Sequence, residues 1–437
     1  MKYRNAFTPA GWKKIRQHLK DPLYINSFFM ALSRFLNASG GFIFWLLAAR
    51  LYSKEDVGLT SALFSYLELV LLFSVIGTDF LLIRYLPIYD KKKVFNTCLS
   101  ISISFSLITG VFFVLGCDFF SAGLSVIKSP YYFAMFVLFG AANTFNQITG
   151  TTFIAMRQSA NYFLQNLIRS VRIPLLIPLF YMGSLGIFQS LGIACILSSL
   201  FSLYLLGKNP GLNFKIDKNF IKKTYKFSLY HYFANNLSEA SMLIIPIMVF
   251  NLLGKVEAAN YYIASAIGDL VLIIPGVLGT SLFVEGSHGE NTKNNLVKAI
   301  KVTYALLIPI IFIIYLYGNF FLGLFGESYM ESYKLLCLIS ISSLLTSIYT
   351  LFVSILRIKM KMGTVLKLNM LMSAILLGLS YMFSVKYGLA GVGYARIVTS
   401  IIIAVVIAVI FKQVLREESQ NPFKETSASV GGKTFAE

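Results

Sequence analysis

The chain has 437 residues, 57% of them hydrophobic and 13% charged, with a formal net charge of +19. Soluble domains carry about 25% charged residues, and the mean hydropathy here is +0.71. These values exclude an ordinary water-soluble chain and predict a polytopic membrane protein, all-α because a helix satisfies its own backbone in lipid.

A bilayer span needs about 20 mostly apolar residues. Twelve such stretches follow one another, at 24–49, 57–78, 95–117, 131–155, 161–183, 185–206, 224–253, 257–284, 297–319, 333–356, 363–384 and 389–411. They divide the chain into a basic amphipathic segment (1–23, with no cleavable signal pattern), an N-lobe of six spans (24–206), a cytoplasmic linker (207–223), a C-lobe of six spans (224–411) and a polar tail (412–437). Counting loops alternately from an inside N-terminus puts 27 Lys and Arg on the inner side and 5 on the outer. That bias predicts cytoplasmic termini. Spread over many loops, the basic charge suits anionic head groups and argues against nucleic acid as a partner.

Polar residues within the spans are the candidates for function, because a charge at mid-bilayer costs about 2.5–3.5 kcal/mol on insertion scales. In the first span Arg34 stands about ten residues in, or ~15 Å at 1.5 Å per residue. Glu68 lies in the second. The fourth carries Asn143, Asn146, Gln147, Gly150 and Thr151 at i, i+3, i+4, i+7 and i+8, one helical face that either meets sugar hydroxyls or bonds to neighbouring helices. In the fifth, Arg169 and Arg172 share a face with Gln165 and Asn166, and Pro174 and Pro178 loosen the helix just beyond. Two guanidinium forks suit a pyrophosphate; the alternative is an arginine pair stapled to carbonyls or to Glu68. Glu239, one turn after Asn235 and Asn236, makes an oxygen-rich patch in the seventh span that suits a proton or Na⁺. Asp269 lies in the eighth and Arg396 in the twelfth, where a Glu239 or Asp269 pair with Arg396 is the structural alternative. Lys334 and Lys367 sit near span ends and read as interface anchors.

Cys98, Cys117, Cys195 and Cys337 lie in or beside apolar segments without metal-like spacing, and His18, His231 and His288 are scattered. No metal site is predicted. No GxxxxGK[ST] pattern occurs, which argues against ATP hydrolysis.

The chain repeats itself weakly. Val75-Ile76-Gly77-Thr78 recurs as Val277-Leu278-Gly279-Thr280, and Lys54-Glu55 meets Lys255-Val256-Glu257. Met156-Arg157 matches Leu356-Arg357, and Leu191-Gly192-Ile193-Ala194 matches Val392-Gly393-Tyr394-Ala395. Six spans separate the copies, so the two lobes are predicted to be parallel repeats about an axis along the membrane normal, with a binding site between them.

The stretch Gly41–Gly58 (GFIFWLLAARLYSKEDVG), followed by Ser74–Pro87 (SVIGTDFLLIRYLP), resembles the start of the Wzx-type oligosaccharide flippases of the multidrug/oligosaccharidyl-lipid/polysaccharide exporter superfamily. Arg50, Glu55, Gly58 and Gly77 occupy the positions of that family's opening pattern. The resemblance implies transport without bond chemistry: a polyprenyl-pyrophosphate-linked oligosaccharide moved from the cytoplasmic to the outer leaflet of a prokaryotic plasma membrane by alternating access. It implies no resident cofactor, with H⁺, Na⁺ or the membrane potential as the coupling force. Its partners would be membrane lipids, the lipid-linked glycan, and glycan polymerase or transferase machinery. Arg34, Arg169, Arg172 and Arg396 are then the head-group candidates, Asn143, Asn146 and Gln147 the sugar candidates, and Glu239, Asp269 and Glu68 the coupling candidates. The rivals are a cation-coupled multidrug exporter of the same superfamily, a membrane glycan polymerase or ligase, which the short outer loops disfavour, and a non-transporting scaffold.

Overall fold

A computed structural model describes residues 22–207, 211–287 and 292–420. The predicted N-terminal segment through Lys20, His18, His288 and the tail beyond 420 lie outside the described residues, as do the side chains of His231 and Asn235. Every regular element among the described residues is helical.

In the N-lobe, α1 (Pro22–Leu51) crosses first and α2 (Lys54–Val75) returns, continued after a kink by α3 (Thr78–Tyr85). Then come α4 (Lys91–Leu115), α5 (Pro130–Ala155), α6 (Ser159–Arg169) and α7 (Ser184–Leu206). The C-lobe comprises α8 (Lys218–Leu253), α9 (Lys255–Gly268), α10 (Ile273–Ser287), α11 (Thr292–Gly323), α12 (Tyr333–Ile358), α13 (Met362–Tyr387) and α14 (Leu389–Gln420). A 3₁₀ turn at Asp269–Leu272 joins α9 to α10 into one crossing.

Ten described helical units are long and apolar enough to span a membrane. The fourth and fifth predicted spans fall outside that set, each for a physical reason. In α5 the amides and hydroxyls from Asn143 to Thr152 dilute the apolar run. The fifth crossing breaks after Arg169 into short turns at Arg172–Leu175 and Phe180–Met182, because Pro174 and Pro178 withhold two backbone donors. Tyr52 donates to the Leu176 carbonyl at 2.7 Å, taking up an acceptor in the broken ladder. The fold is an all-α polytopic bundle of twelve crossings in two lobes.

Two glycines set how the lobes meet. Along α2, Gly58 passes so near α9 that a Cβ would lie 1.8 Å from the Lys255 carbonyl oxygen. At the other end of α2, Ile76 and Gly77 turn left-handed (φ +30° and +74°) and break the helix, and the Gly77 backbone passes α8 at Ser228. There Ser228 donates to the Ile76 carbonyl and Tyr232 to that of Leu72. The buried cluster at this contact mixes the lobes, with Phe44, Trp45 and Val57 against Tyr261, Ile263 and Leu336.

The repeat is visible in the turns, in a shifted register. Gly183 and Gly388, which open α7 and α14, share one conformation (φ/ψ +57°/−138° and +60°/−143°). Arg157 and Met360, at the ends of α5 and α12, are both left-handed, and each donates its N–H to the carbonyl three residues back. Structure therefore pairs Arg157 with Met360 and Gly183 with Gly388. The sequence matches of Arg157 to Arg357 and Gly192 to Gly393 lie about one helical turn away from this register. Leucine-rich helices match themselves almost as well after a slip of three or four residues, which is one turn.

Candidate functional site

The broken fifth crossing delivers two arginines to the space between the lobes. Arg169 is the last residue of α6, and its Nη2 donates to Asn143 Oδ1 of α5 at 3.0 Å. Asn143 Nδ2 in turn donates to Glu68 Oε1 of α2 at 3.2 Å. Arg172, just past the break, lies over the Phe44 ring of α1 with its guanidinium carbon 5.5 Å from the ring centre. Its Nε is buried without a hydrogen-bond partner among the described residues. In a low-dielectric site such a donor is costly to leave unpaired.

A cavity of about 440 Å³ opens beside these groups. Its N-lobe wall includes Asn37, Gly41, Trp45, Glu68, Arg169 and Arg172, and its C-lobe wall Tyr262, Ala266, Leu270 and Phe325. Two guanidinium groups against one carboxylate leave it net positive. Arg34 is exposed on α1, one turn before Asn37, on the face that leads to the cavity. A second cavity of about 430 Å³ lies on the C-lobe flank, lined by Glu239, Ser238, Tyr349, Thr350 and Ser373, and again by Glu68. Glu68 thus borders both.

The remaining candidates separate. Arg396 is buried and paired: its Nη1 lies 2.7 Å from Asp269 Oδ1, while Nη2 donates to Tyr261 Oη at 3.0 Å and to Asp269 Oδ2 at 3.4 Å. Its charge is met inside the C-lobe, as the pairing alternative has it. Along the α5 stripe only Asn143 meets the arginines. Asn146 donates to Ser198 of α7, Gln165 of α6 donates to the Asn146 carbonyl, and Gly150 makes room for Gln165. Gln147 is exposed on the opposite flank. Half of the stripe is therefore helix-to-helix glue. Of the coupling patch, Asn236 is half-buried and Glu239 exposed to its cavity.

The motif residues lie at the lobe contact. Arg50, at the end of α1, reaches the last carbonyls of α11, with Nε 2.6 Å from Leu324 O and Nη2 2.7 Å from Gly323 O. Lys54 bonds to Glu331 at 2.9 Å and to the Ser328 carbonyl at 2.6 Å. Glu55 is exposed in the first turn of α2, whose cap Ser53 accepts from the Asp56 N–H. Beneath this latch, aromatic rings meet across the lobes: Phe42 with Phe325 at 5.3 Å and Trp45 with Tyr262 at 4.4 Å. The lobes are closed on the Arg50 side by a polar latch over an aromatic plug. The rings of Tyr262 and Phe325 were not legible as site residues, because nothing local separates them from the chain's 39 Phe and 25 Tyr, and nothing local to Glu331 or Trp45 marks the partner each meets across the lobes.

Residues 23–285, more than half of the chain, match the family described as polysaccharide biosynthesis protein. The chain belongs to that family. Solved structures of similar fold span nearly all of this family member. The lipid II flippase MurJ in an inward closed conformation aligns with TM-score 0.70 and 18% identity, covering 89% of this chain and 87% of that one. An inward-facing multidrug resistance MATE family transporter of the MOP superfamily aligns at 0.69 and 14%, covering 88% and 96%. A MOP superfamily transporter from Pyrococcus furiosus aligns at 0.61 and 15%, covering 89% and 94%. At these identities the likeness is one of fold. Comparison with curated protein sequences found no match. Family, fold and spans together make this polysaccharide biosynthesis family member a multi-pass membrane transporter or flippase.

Proposed function

We propose that the protein carries a polyprenyl-pyrophosphate-linked oligosaccharide from the cytoplasmic to the outer leaflet of a prokaryotic plasma membrane, for surface glycan assembly. The observation that carries this reading is the Arg169–Arg172 pair on the wall of a net-positive cavity shared by both lobes. Arg172 Nε is an unused buried donor there, and paired guanidinium donors match the oxygens of a pyrophosphate. The polyprenyl tail would stay in lipid while the head group occupies the cavity. The lobes would then exchange access around it, with the Arg50 latch as the outer door.

The positive-inside bias assigns the linker side to the cytoplasm. For coupling, the geometry favours Glu239, with Glu68 beside it, over Asp269, whose charge is already met by Arg396. A cation-coupled drug exporter, the rival on the same fold, would need a cavity that attracts cations, and the two arginines argue against it.

The test is transbilayer movement of a polyprenyl-pyrophosphate oligosaccharide in proteoliposomes. Arg169→Ala/Arg172→Ala should fold and lose at least tenfold in rate, about 1.4 kcal/mol or more. Undiminished flipping would make the pair structural. No flipping by wild type across a panel of lipid-linked glycans, with export of a cationic dye, would establish the rival. In the same vesicles Glu239→Gln should abolish any response to an imposed ion gradient, and an unchanged response removes Glu239 from coupling.

A further inference from the structure

The inner ends of α4 and α8 and the linker between the lobes enclose a cleft of about 480 Å³. Four lysines line it: Lys92 and Lys93 from α4, Lys215 from the linker and Lys218 from α8. All four are exposed, and none of their ammonium groups has an ion pair or hydrogen bond among the described residues. The two carboxylates on its wall are directed elsewhere. Asp90 Oδ1 accepts from the backbone N–H groups of Lys92 and Lys93, and Asp217 Oδ1 from those of Asn219 and Phe220. Each is the N-cap of its helix, so the helix amides are already occupied and the ammonium groups are what the cleft has to offer.

Their placement runs against local electrostatics. Lys92, Lys93 and Lys218 stand in the first turn of their helices, where the macrodipole disfavours cations. Four ammonium groups against two carboxylates leave the cleft net positive, and the ammonium groups repel one another.

The cleft is built as well as charged. Asn96, buried in α4, donates to the Gly211 carbonyl at 2.9 Å and accepts from the Asn213 N–H. Thr97 Oγ1 accepts from the Asp217 N–H at 3.0 Å. These bonds pin the linker over α4 and hold Lys215 opposite Lys92 and Lys93. Apolar side chains accompany these lysines: Ile216 lines the cleft and is exposed, as are Ile88 and Phe214, close in sequence to the lining residues. Exposed apolar side chains beside lysines at the ends of membrane-spanning helices describe a surface at the depth of lipid head groups.

We propose that this cleft binds a phosphate group, supplied by the head group of an anionic membrane lipid, and that the bound phosphate ties the linker to α4. It is separate from the central cavity and independent of what that cavity carries.

The experiment titrates the purified full-length protein in detergent with dioctanoyl phosphatidylglycerol, dioctanoyl phosphatidylcholine or inorganic pyrophosphate. Apparent Kd is read by native mass spectrometry, and melting temperature by scanning fluorimetry. Wild type should bind phosphatidylglycerol at least tenfold more tightly than phosphatidylcholine. Lys92→Gln/Lys93→Gln/Lys215→Gln/Lys218→Gln should lose at least tenfold of that affinity. Lys222→Gln/Lys223→Gln, two lysines on the same side that do not line the cleft, should stay within twofold. Asn96→Ala keeps every charge but frees the linker, and should weaken binding at least threefold.

Equal losses in the two lysine variants, or wild-type binding by Asn96→Ala, would overturn the site in favour of diffuse basic charge. Failure of wild type to bind either phosphate probe would overturn it outright. Tight pyrophosphate binding without a preference for phosphatidylglycerol would overturn the lipid source and leave a site for phosphate from solution.

Discussion

Arg172 and Arg396 are both arginines within the membrane, and their surroundings give them opposite work. The Nε of each is buried and unpaired, but Arg396 gives both Nη groups to Asp269 and Tyr261, whereas Arg172 has no ion pair among the described residues, lines the cavity and rests on the Phe44 ring. Removing one member of a buried pair strands the other's charge and costs about 3–5 kcal/mol. Asp269 is 37% exposed, which places this pair at the low end or below. Arg396→Ala should therefore lower the melting temperature clearly in a thermal size-exclusion assay. Arg396→Met/Asp269→Leu should recover much of that loss, since neither charge is then left alone. Arg172→Ala should melt near wild type and fail in transport. An Arg172→Ala protein as unstable as Arg396→Ala would make both arginines structural.

At the scale of elements, α2 does most to join the lobes, and its two glycines do so differently. Gly77 supplies a left-handed turn that lets α3 diverge, a conformation costing a residue with a side chain about 1–2 kcal/mol. Gly58 supplies absence of bulk: a single methyl would meet the Lys255 carbonyl. Gly58→Ala should thus part α2 from α9 on the Arg50 side. The check uses a background with all four native cysteines replaced and Ala259→Cys, buried in that contact, as reporter. Labelling of this thiol by an impermeant maleimide should be slow with Gly58 and several-fold faster with Ala. An unchanged rate would show that the helices accommodate the methyl by a local shift.

For the molecule as a whole, the question is what keeps the Arg50 side shut. Two bonds from Arg50 and two from Lys54 cross between lobes there, over the aromatic plug. Lys54, first by its hydrogen bond and then by its charge, holds the Glu331 carboxyl below its ordinary range. A carboxylate whose pKa is depressed in the closed state favours closure fully above its free value, about 4.3. It loses that contribution as pH falls through the lowered value. The latch should therefore hold at neutral pH and loosen only in acid. Spin labels at Tyr181→Cys and Glu327→Cys should report a longer distance at pH 3.5 than at pH 7. Glu331→Gln should already be longer at pH 7 and insensitive to acid, and a wild-type distance unaffected by pH would remove Glu331 from the latch.

The sequence by itself determined the medium, the helical class and the two-lobe plan, because hydropathy and length act over whole spans and tolerate local error. It also pointed to the two arginines that line the central cavity, since an arginine such as Arg172 deep in an apolar run is expensive wherever it points. The α5 stripe shows where that reasoning ends: helical period put Asn143, Asn146 and Gln147 on one face, yet Asn143 meets Arg169 and Glu68, Asn146 meets Ser198, and Gln147 is exposed. Only the tertiary structure decided that Asn143 bridges Arg169 to Glu68, that Arg396 belongs to Asp269, and that Arg50 closes a latch on α11. Each of these is a contact between residues at least 26 positions apart. Periodicity can place a side chain on a face, but the partner it finds there is set by how the helices pack.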